Sequence, residues 1–151
     1  MRSWPALAPR SAELRALRQT PPCLVEDGAI NADLQAGRDR AWAGNTPGIV
    51  TRRRSAIGLS ADGRTLFYAL GVEASPKLMA TGLLAAGASF AAQLDINWNW
   101  TRFLLFGKDG DGNPRVGASL AEVQHTSRDY VETPSKRDFF YLVERTAPTQ
   151  R

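Results

Sequence analysis

The sequence predicts a single α+β domain in which a mixed or antiparallel sheet packs against one helix. Short apolar runs, typical of strands, recur at positions 56–59, 65–70, 90–94 and 103–106. Between the second and third of these runs, apolar residues follow helical spacing. The chain has 151 residues, of which 43% are hydrophobic, so it can bury one core but hardly two.

The N-terminal positions 1–20 are predicted to form a loop and then a short amphipathic helix at 11–18. Ser11 would cap this helix, because a serine side chain can accept a hydrogen bond from the first helical turn. Pro21 and Pro22 would end it, since proline cannot continue a helix.

The main domain is predicted at positions 21–146. It begins with a brief strand at 23–25, which enters a turn at 26–28. Positions 31–48 are polar and contain glycine and proline, so we expect a long loop there, pinned to the body by Trp42.

A hairpin and a helix are the clearest elements of the middle region. The turn signal at 60–64 joins the first two apolar runs. Ser75 is a good N-cap, and Pro76 suits the first helical position. We expect the helix to extend to about position 86, because Gly87 suits a left-handed stop.

The C-terminal region is predicted to contain little regular structure. Positions 108–114 indicate a turn, and positions 115–136 are expected to be irregular. The apolar run at 139–143 predicts a last strand, followed by a disordered tail at 147–151.

Charge and hydropathy restrict the classes of partner. The net charge is +4, but the basic residues are scattered and only positions 52–54 form an arginine run, so no nucleic-acid partner is expected. The arginines favour a phosphate or another anion instead. No apolar run is long enough for a membrane span, and no signal peptide is expected at the N-terminus, which lacks the apolar core of one.

No metal or cofactor is expected from the sequence. Asp109, Asp111 and Asn113 are spaced like the opening of a calcium loop, but Pro114 and Leu120 replace the required glycine and glutamate. The single histidine has no neighbouring cysteine or histidine, and no glycine-rich phosphate loop exists.

The segment at 89–107 is the best candidate for a site. Asp95, Asn97 and Trp98 directly follow the apolar run at 90–94, so a carboxylate would be held rigidly where a predicted strand ends. An equally weighted alternative is that the Asp and Asn residues only shape a turn and the tryptophans fill the core.

Four motifs carry a resemblance to a known family. In chain order they are PCLVEDG at 22–28, RSAIG at 54–58, QLD at 93–95 and SKRDFF at 135–140. This order resembles the phosphodiester glycosidase domain, whose family includes an enzyme that removes N-acetylglucosamine from a phosphodiester. The resemblance covers roughly positions 21–145, and the Asp-Ile-Asn-Trp form is similar to a bacterial branch of the family.

The chain departs from the family pattern in two places. Many members follow the aspartate with glycines and a serine, whereas this chain has INWNW at 96–100. Family members usually begin upstream with an Asn-Gly-Phe-Phe-like motif, which this chain lacks. We therefore expect the chain to correspond to the C-terminal part of a longer domain.

The resemblance implies hydrolysis of a sugar-1-phosphodiester, with a phosphorylated or anionic glycan as partner. Asp95 would act as nucleophile, base or oxocarbenium stabiliser, Arg54 and Arg137 as phosphate clamps, Asn97 as a hydroxyl partner and Trp98 as a stacking surface. Arg54, Asp95, Asn97 and Arg137 should then converge on one pocket. The alternative for each arginine is a surface or structural ion pair.

Two other interpretations remain open. The chain could be a non-catalytic module that binds carbohydrate or the cell envelope, or an inactive truncated fragment. The family resemblance also implies an extracytoplasmic or secreted location.

Overall fold

The computed structural model confirms the α+β fold class. It describes residues 2–3, 5, 8–13, 18–43, 51–120, 130–132, 134–135, 137 and 139–144. The chain divides into two compact units. The first unit holds the described residues up to Phe103 together with Leu120, and the second holds 104–119 and the described residues from 130 onwards.

The first unit is built on a five-stranded antiparallel sheet. Its strands are β1 (Val25–Glu26), β2 (Ala29–Ile30), β3 (Arg52–Leu59), β4 (Leu66–Ala74) and β5 (Phe90–Gln93). They lie in the order β2-β1-β5-β3-β4, so the strand that leads to Asp95 is central, as predicted.

The β3–β4 hairpin is confirmed, although both strands are longer than predicted. Its turn is closed by Asp62, whose Oδ1 accepts hydrogen bonds from the Ser60 hydroxyl (2.6 Å) and the Arg64 amide (3.1 Å). Gly63 has a φ of 71°, a conformation that glycine adopts without strain. The predicted turn chemistry therefore sets the register of the hairpin.

The predicted helix is also confirmed, as α2 (Pro76–Ala85), which follows α1 (Ala32–Gln35) in the chain. The Ser75 hydroxyl accepts from the Leu78 amide at 3.1 Å, and Gly87 stops the helix with a φ of 103°. Apolar side chains of α2 and of the sheet form one buried core, which includes Met79, Ala80, Leu83, Ala56 and Ala91.

Gly71 has no room for a side chain, because Ala74 of the same strand and Met79 of α2 lie against it. A Cβ at Gly71 would lie 2.5 Å from the Ala74 Cβ and 3.1 Å from the Met79 sulfur. We expect Gly71→Ala to lower the free energy of unfolding by about 1–3 kcal/mol, because the core must shift to admit a methyl group.

The matched control for this prediction is Gly82→Ala. Gly82 is an exposed α2 residue whose added Cβ would meet nothing within 4 Å. This change should raise the free energy of unfolding by up to about 1 kcal/mol, because alanine favours a helix more than glycine does. Urea denaturation of both variants measures the difference, and equal effects would contradict the close packing.

Segment 31–43 is only partly the loop that the sequence predicts. It contains α1 and a short 3-10 helix (Arg40–Trp42). Asn31 accepts from the Asp33 amide at 2.9 Å, so its polar side chain begins a helix as well as a turn. Trp42 is 1% exposed and its Nε1 donates to the Pro22 carbonyl at 2.8 Å, which confirms that it pins this segment.

The N-terminal helix prediction is wrong in its position. A 3-10 helix spans Ala8–Glu13, so helical structure begins before the predicted start at position 11. Residues 14–17 of the predicted helix lie outside the described residues. The proline pair at 21–22 precedes β1, which shares only Val25 with the strand predicted at 23–25. The predicted turn lies at 27–28, where it joins β1 to β2.

The second unit contains a two-stranded hairpin, β6 (Leu104–Lys108) and β7 (Pro114–Ser119). Its turn is confirmed: Asp109 Oδ1 accepts from the amides of Asp111 (3.0 Å) and Asn113 (2.9 Å). The prediction that 115–136 is irregular is wrong for β7, because pairing with β6 orders residues of weak strand propensity.

The predicted strand at 139–143 is wrong as well. These residues have no regular structure, and each is more than half exposed. A strand needs a neighbour for its backbone hydrogen bonds, so apolar sequence alone does not form one. The histidine and the predicted tail at 147–151 lie outside the described residues. Within the described residues, no helix is long and apolar enough to cross a membrane.

Candidate functional site

The candidate site begins where β5 ends, and β3 anchors it there. The Asp95 carbonyl oxygen accepts from both the Ser55 amide (3.0 Å) and the Ser55 hydroxyl (2.9 Å). The Leu94 amide donates to the Ser55 carbonyl at 2.8 Å. The backbone at Asp95 is therefore fixed against the neighbouring strand.

Beyond Asp95, two successive side-chain turns shape the loop. Asp95 Oδ1 accepts from the Asn97 amide at 2.6 Å, and Asn97 Oδ1 accepts from the Asn99 amide at 3.0 Å. The structure thus shows the turn-forming role that the alternative interpretation gave these residues. The hydrogen bond from the Asn97 amide also holds the partly exposed Asp95 carboxylate in one orientation. The second carboxylate oxygen of Asp95, Oδ2, accepts no hydrogen bond from the described residues.

Arg53 and Trp98 form a pair that sequence reasoning missed. The guanidinium carbon of Arg53 lies 4.1 Å from the centroid of the Trp98 ring, and Nη1 donates to the Trp98 carbonyl at 3.2 Å. Trp98 itself is 57% exposed. The pairing of β3 with β4 shifts register between Arg52 and Arg54, so Arg53 lies at an irregularity of the strand that the sequence does not reveal.

Arg54, a predicted phosphate clamp, lies in the protein interior with no exposed surface. Its Nε donates to the Ala74 carbonyl (2.8 Å), and its Nη1 donates to the Trp42 carbonyl (2.8 Å) and to Gln93 Oε1 (2.7 Å). Burial, with a smaller contribution from Arg52, lowers its pKa to about 10. In this conformation Arg54 links β4, β5 and the Trp42 segment, and its contact with phosphate stays a prediction.

Tyr68 lies on the same face of the sheet as Ser55, with its ring 4.9 Å from that of Phe103. Its hydroxyl is buried without hydrogen-bond geometry to any described residue, and the Ser55 hydroxyl donates to the Asp95 carbonyl. Burial raises the pKa of this phenol, and the Ser55 hydroxyl and the Arg53 charge oppose that rise. Tyr68 is therefore a neutral group beside the candidate site.

The raised pKa of Tyr68 predicts how stability depends on pH. The phenol of Tyr68 ionises near pH 10 in the unfolded chain and at a higher pH in the folded protein. The contribution of the neutral phenol to the free energy of unfolding is therefore complete below pH 10 and falls as pH rises through the folded pKa. Wild-type protein should lose stability above pH 10 more steeply than Tyr68→Phe. Urea denaturation across that range measures both slopes, and parallel slopes would contradict the burial of the phenol.

The structure brings together some of the predicted site residues. Asp95, Asn97 and Trp98 share one loop, whereas Arg54 lies in the interior of the same unit. Arg137 is an exposed residue of the second unit, where its amide donates to the Ser135 hydroxyl at 3.1 Å. Convergence of all four polar residues on one pocket stays a prediction.

The described part of the chain contains no group of three or more His, Cys, Asp or Glu side chains that could hold a metal ion. Comparison with known protein families gave no match, and comparison with curated proteins gave no significant match.

Proposed function

We propose that this chain is a phosphodiester glycosidase-like hydrolase that cleaves a sugar-1-phosphodiester, with Asp95 as its catalytic carboxylate. The observation that supports this proposal is the position of Asp95. Its backbone is anchored to Ser55, its Oδ1 is oriented by the Asn97 amide, and its side chain is partly exposed. Catalytic carboxylates need this combination of rigidity and access.

One carboxylate is sufficient for the chemistry. In the reaction, water adds to the anomeric carbon, the bond from that carbon to the phosphate oxygen breaks, and a phosphomonoester leaves with the electron pair. The phosphoester is a good leaving group, so no second carboxyl group is needed as a general acid. The Asp95 charge would stabilise the developing oxocarbenium ion, and the water proton would pass to Asp95 or to solvent.

Neighbouring residues have roles in binding under this proposal. Asn97 would hydrogen-bond a sugar hydroxyl, and Trp98 would stack on the ring of the sugar. Arg137 would contact the phosphate, whereas the buried Arg54 would hold β4, β5 and the Trp42 segment together. The ligand is a phosphorylated or anionic glycan, and the place of action is outside the cytoplasm.

A second candidate function is a non-catalytic module that binds carbohydrate or the cell envelope. Two observations favour it: Trp98 is more than half exposed, and the Arg54 guanidinium is engaged by interior acceptors. Such a module would bind an anionic glycan without turnover. Trp98→Ala would then weaken binding more than Asp95→Asn would.

Product analysis with the wild-type chain tests the proposal. Methyl phosphodiesters of glucose and N-acetylglucosamine, in both anomeric forms, serve as probes, and the reaction is run in water enriched in heavy oxygen. The hydrolase should release free sugar that carries the label, together with unlabelled methyl phosphate. Heavy oxygen in the methyl phosphate would show that the bond to phosphorus is cleaved instead. Binding of a probe without release of sugar from any probe would favour the non-catalytic module.

A further inference from the structure

One face of the Trp98 indole ring is covered and the other is open. The Arg53 guanidinium lies against the ring, 4.1 Å from its centroid, yet the residue remains 57% exposed. A planar ring with one face covered keeps that much surface only if the opposite face reaches solvent. Trp98 therefore presents a single flat apolar surface beside Asp95.

Arg53 is itself fixed in place. It belongs to β3, an inner strand of the sheet, and is only 4% exposed. The same guanidinium that stacks on the ring also donates to the Trp98 carbonyl at 3.2 Å. A planar guanidinium can make both contacts at once, so Arg53 holds the ring and the backbone of Trp98 together.

We propose that Arg53 is a positioning residue, which fixes Trp98 as a platform whose open face accepts the apolar C–H face of a sugar ring. The proposal rests on the proposed function, which supplies the sugar as ligand. The positive charge behind the ring disfavours a cationic ligand on the open face and suits a sugar that carries a phosphate.

The same loop contains a matched control pair. The Arg102 guanidinium carbon lies 6.0 Å from the Trp100 ring centroid, and Arg102 Nε donates to the Asn99 carbonyl at 3.2 Å. This arginine is also near a tryptophan and bound to a loop carbonyl, but its charge is farther from the ring. Arg102→Met therefore controls for the loss of an arginine from this loop.

The first arm of the test needs no ligand. Protein labelled with fluorotryptophan gives a fluorine NMR signal for each indole, and Trp98→Phe and Trp100→Phe assign the two signals of the loop. Arg53→Met should shift and sharpen the Trp98 signal, because the ring becomes mobile, and should leave the Trp100 signal in place. Arg102→Met should leave the Trp98 signal unchanged. An unchanged Trp98 signal in folded Arg53→Met protein would overturn the positioning role.

The second arm measures binding of the methyl phosphodiester of N-acetylglucosamine by calorimetry in a double-mutant cycle, made in Asp95→Asn protein so that the ligand is not hydrolysed. Arg53→Met should weaken binding about three- to fivefold, the size expected for a cation–π contact to a solvent-exposed ring. It should have no further effect in a Trp98→Ala background. Equal weakening in both backgrounds would show that Arg53 acts only on the fold, and would overturn the proposal.

Arg53→Lys provides a rescue. It keeps the charge but loses the planar fork, so binding should recover in part. If Arg53→Met fails to fold, Arg53→Lys replaces it in both the fluorine NMR measurement and the binding cycle. A shifted Trp98 signal with no sugar binding by wild-type protein would contradict the proposed function and the sugar ligand, while leaving the Arg53–Trp98 contact established.

Discussion

Asp95→Asn is expected to reduce turnover of a sugar-1-phosphodiester by at least about a hundredfold while the protein stays folded. The amide oxygen can still accept from the Asn97 amide, so the turn is preserved. What is lost is the negative charge that stabilises the oxocarbenium ion, an electrostatic effect of about 3–4 kcal/mol in active sites. The measurement is kcat/KM for wild-type and variant protein, with circular dichroism to confirm folding.

Asp62→Asn is the matched control. Asp62 also closes a turn by accepting backbone and side-chain hydrogen bonds, but it lies in the β3–β4 hairpin. Hydrogen bonds from the Ser60 hydroxyl and the Arg64 amide hold its pKa below the usual range, so its charge is present at neutral pH. Asp62→Asn should keep full turnover. Retained turnover in well-folded Asp95→Asn protein would contradict the catalytic role of Asp95.

Arg54→Met is expected to lower the free energy of unfolding by about 3–5 kcal/mol. The substitution leaves the carbonyls of Ala74 and Trp42 and the side chain of Gln93 without this donor in the interior. Two strands and the Trp42 segment would lose their common link. Urea denaturation of the variant measures the loss.

Arg38→Met provides the comparison for Arg54. Arg38 donates twice to Asp33, at 2.7 and 3.0 Å, but its side chain is 65% exposed. Because exposed ion pairs contribute little, this change should cost less than about 1 kcal/mol. Similar losses for the two variants would show that the buried hydrogen bonds of Arg54 are not what stabilises the sheet.

Elements defined by local chemistry were predictable from the sequence. Helix α2 has its cap at Ser75 and its stop at Gly87, and the β3–β4 turn has its closing aspartate at Asp62. In each case the residues that define the element lie within a few positions of it. The central place of β5 was also predictable, because a continuous apolar run indicates burial on both faces.

Features that depend on distant residues were not predictable. Arg53 and Trp98 are 45 positions apart, and only the pairing of β3 with β5 brings them together. The burial of Arg54 depends on acceptors from three separate segments, whereas an arginine in a sequence is expected at the surface. The apolar run at 139–143 has strand composition, but composition does not supply a neighbouring strand.

The claim that the loop from Asp95 to Trp100 is the ligand site is tested most directly by backbone amide NMR. Wild-type protein is titrated with the methyl phosphodiester of N-acetylglucosamine under conditions of slow turnover. We predict that changes in amide chemical shift concentrate at Asp95, Asn97, Trp98 and their anchor Ser55. The amide signals of the turn at 60–64 should not change. Shifts confined to other parts of the chain, or no shifts at saturating ligand, would contradict the site.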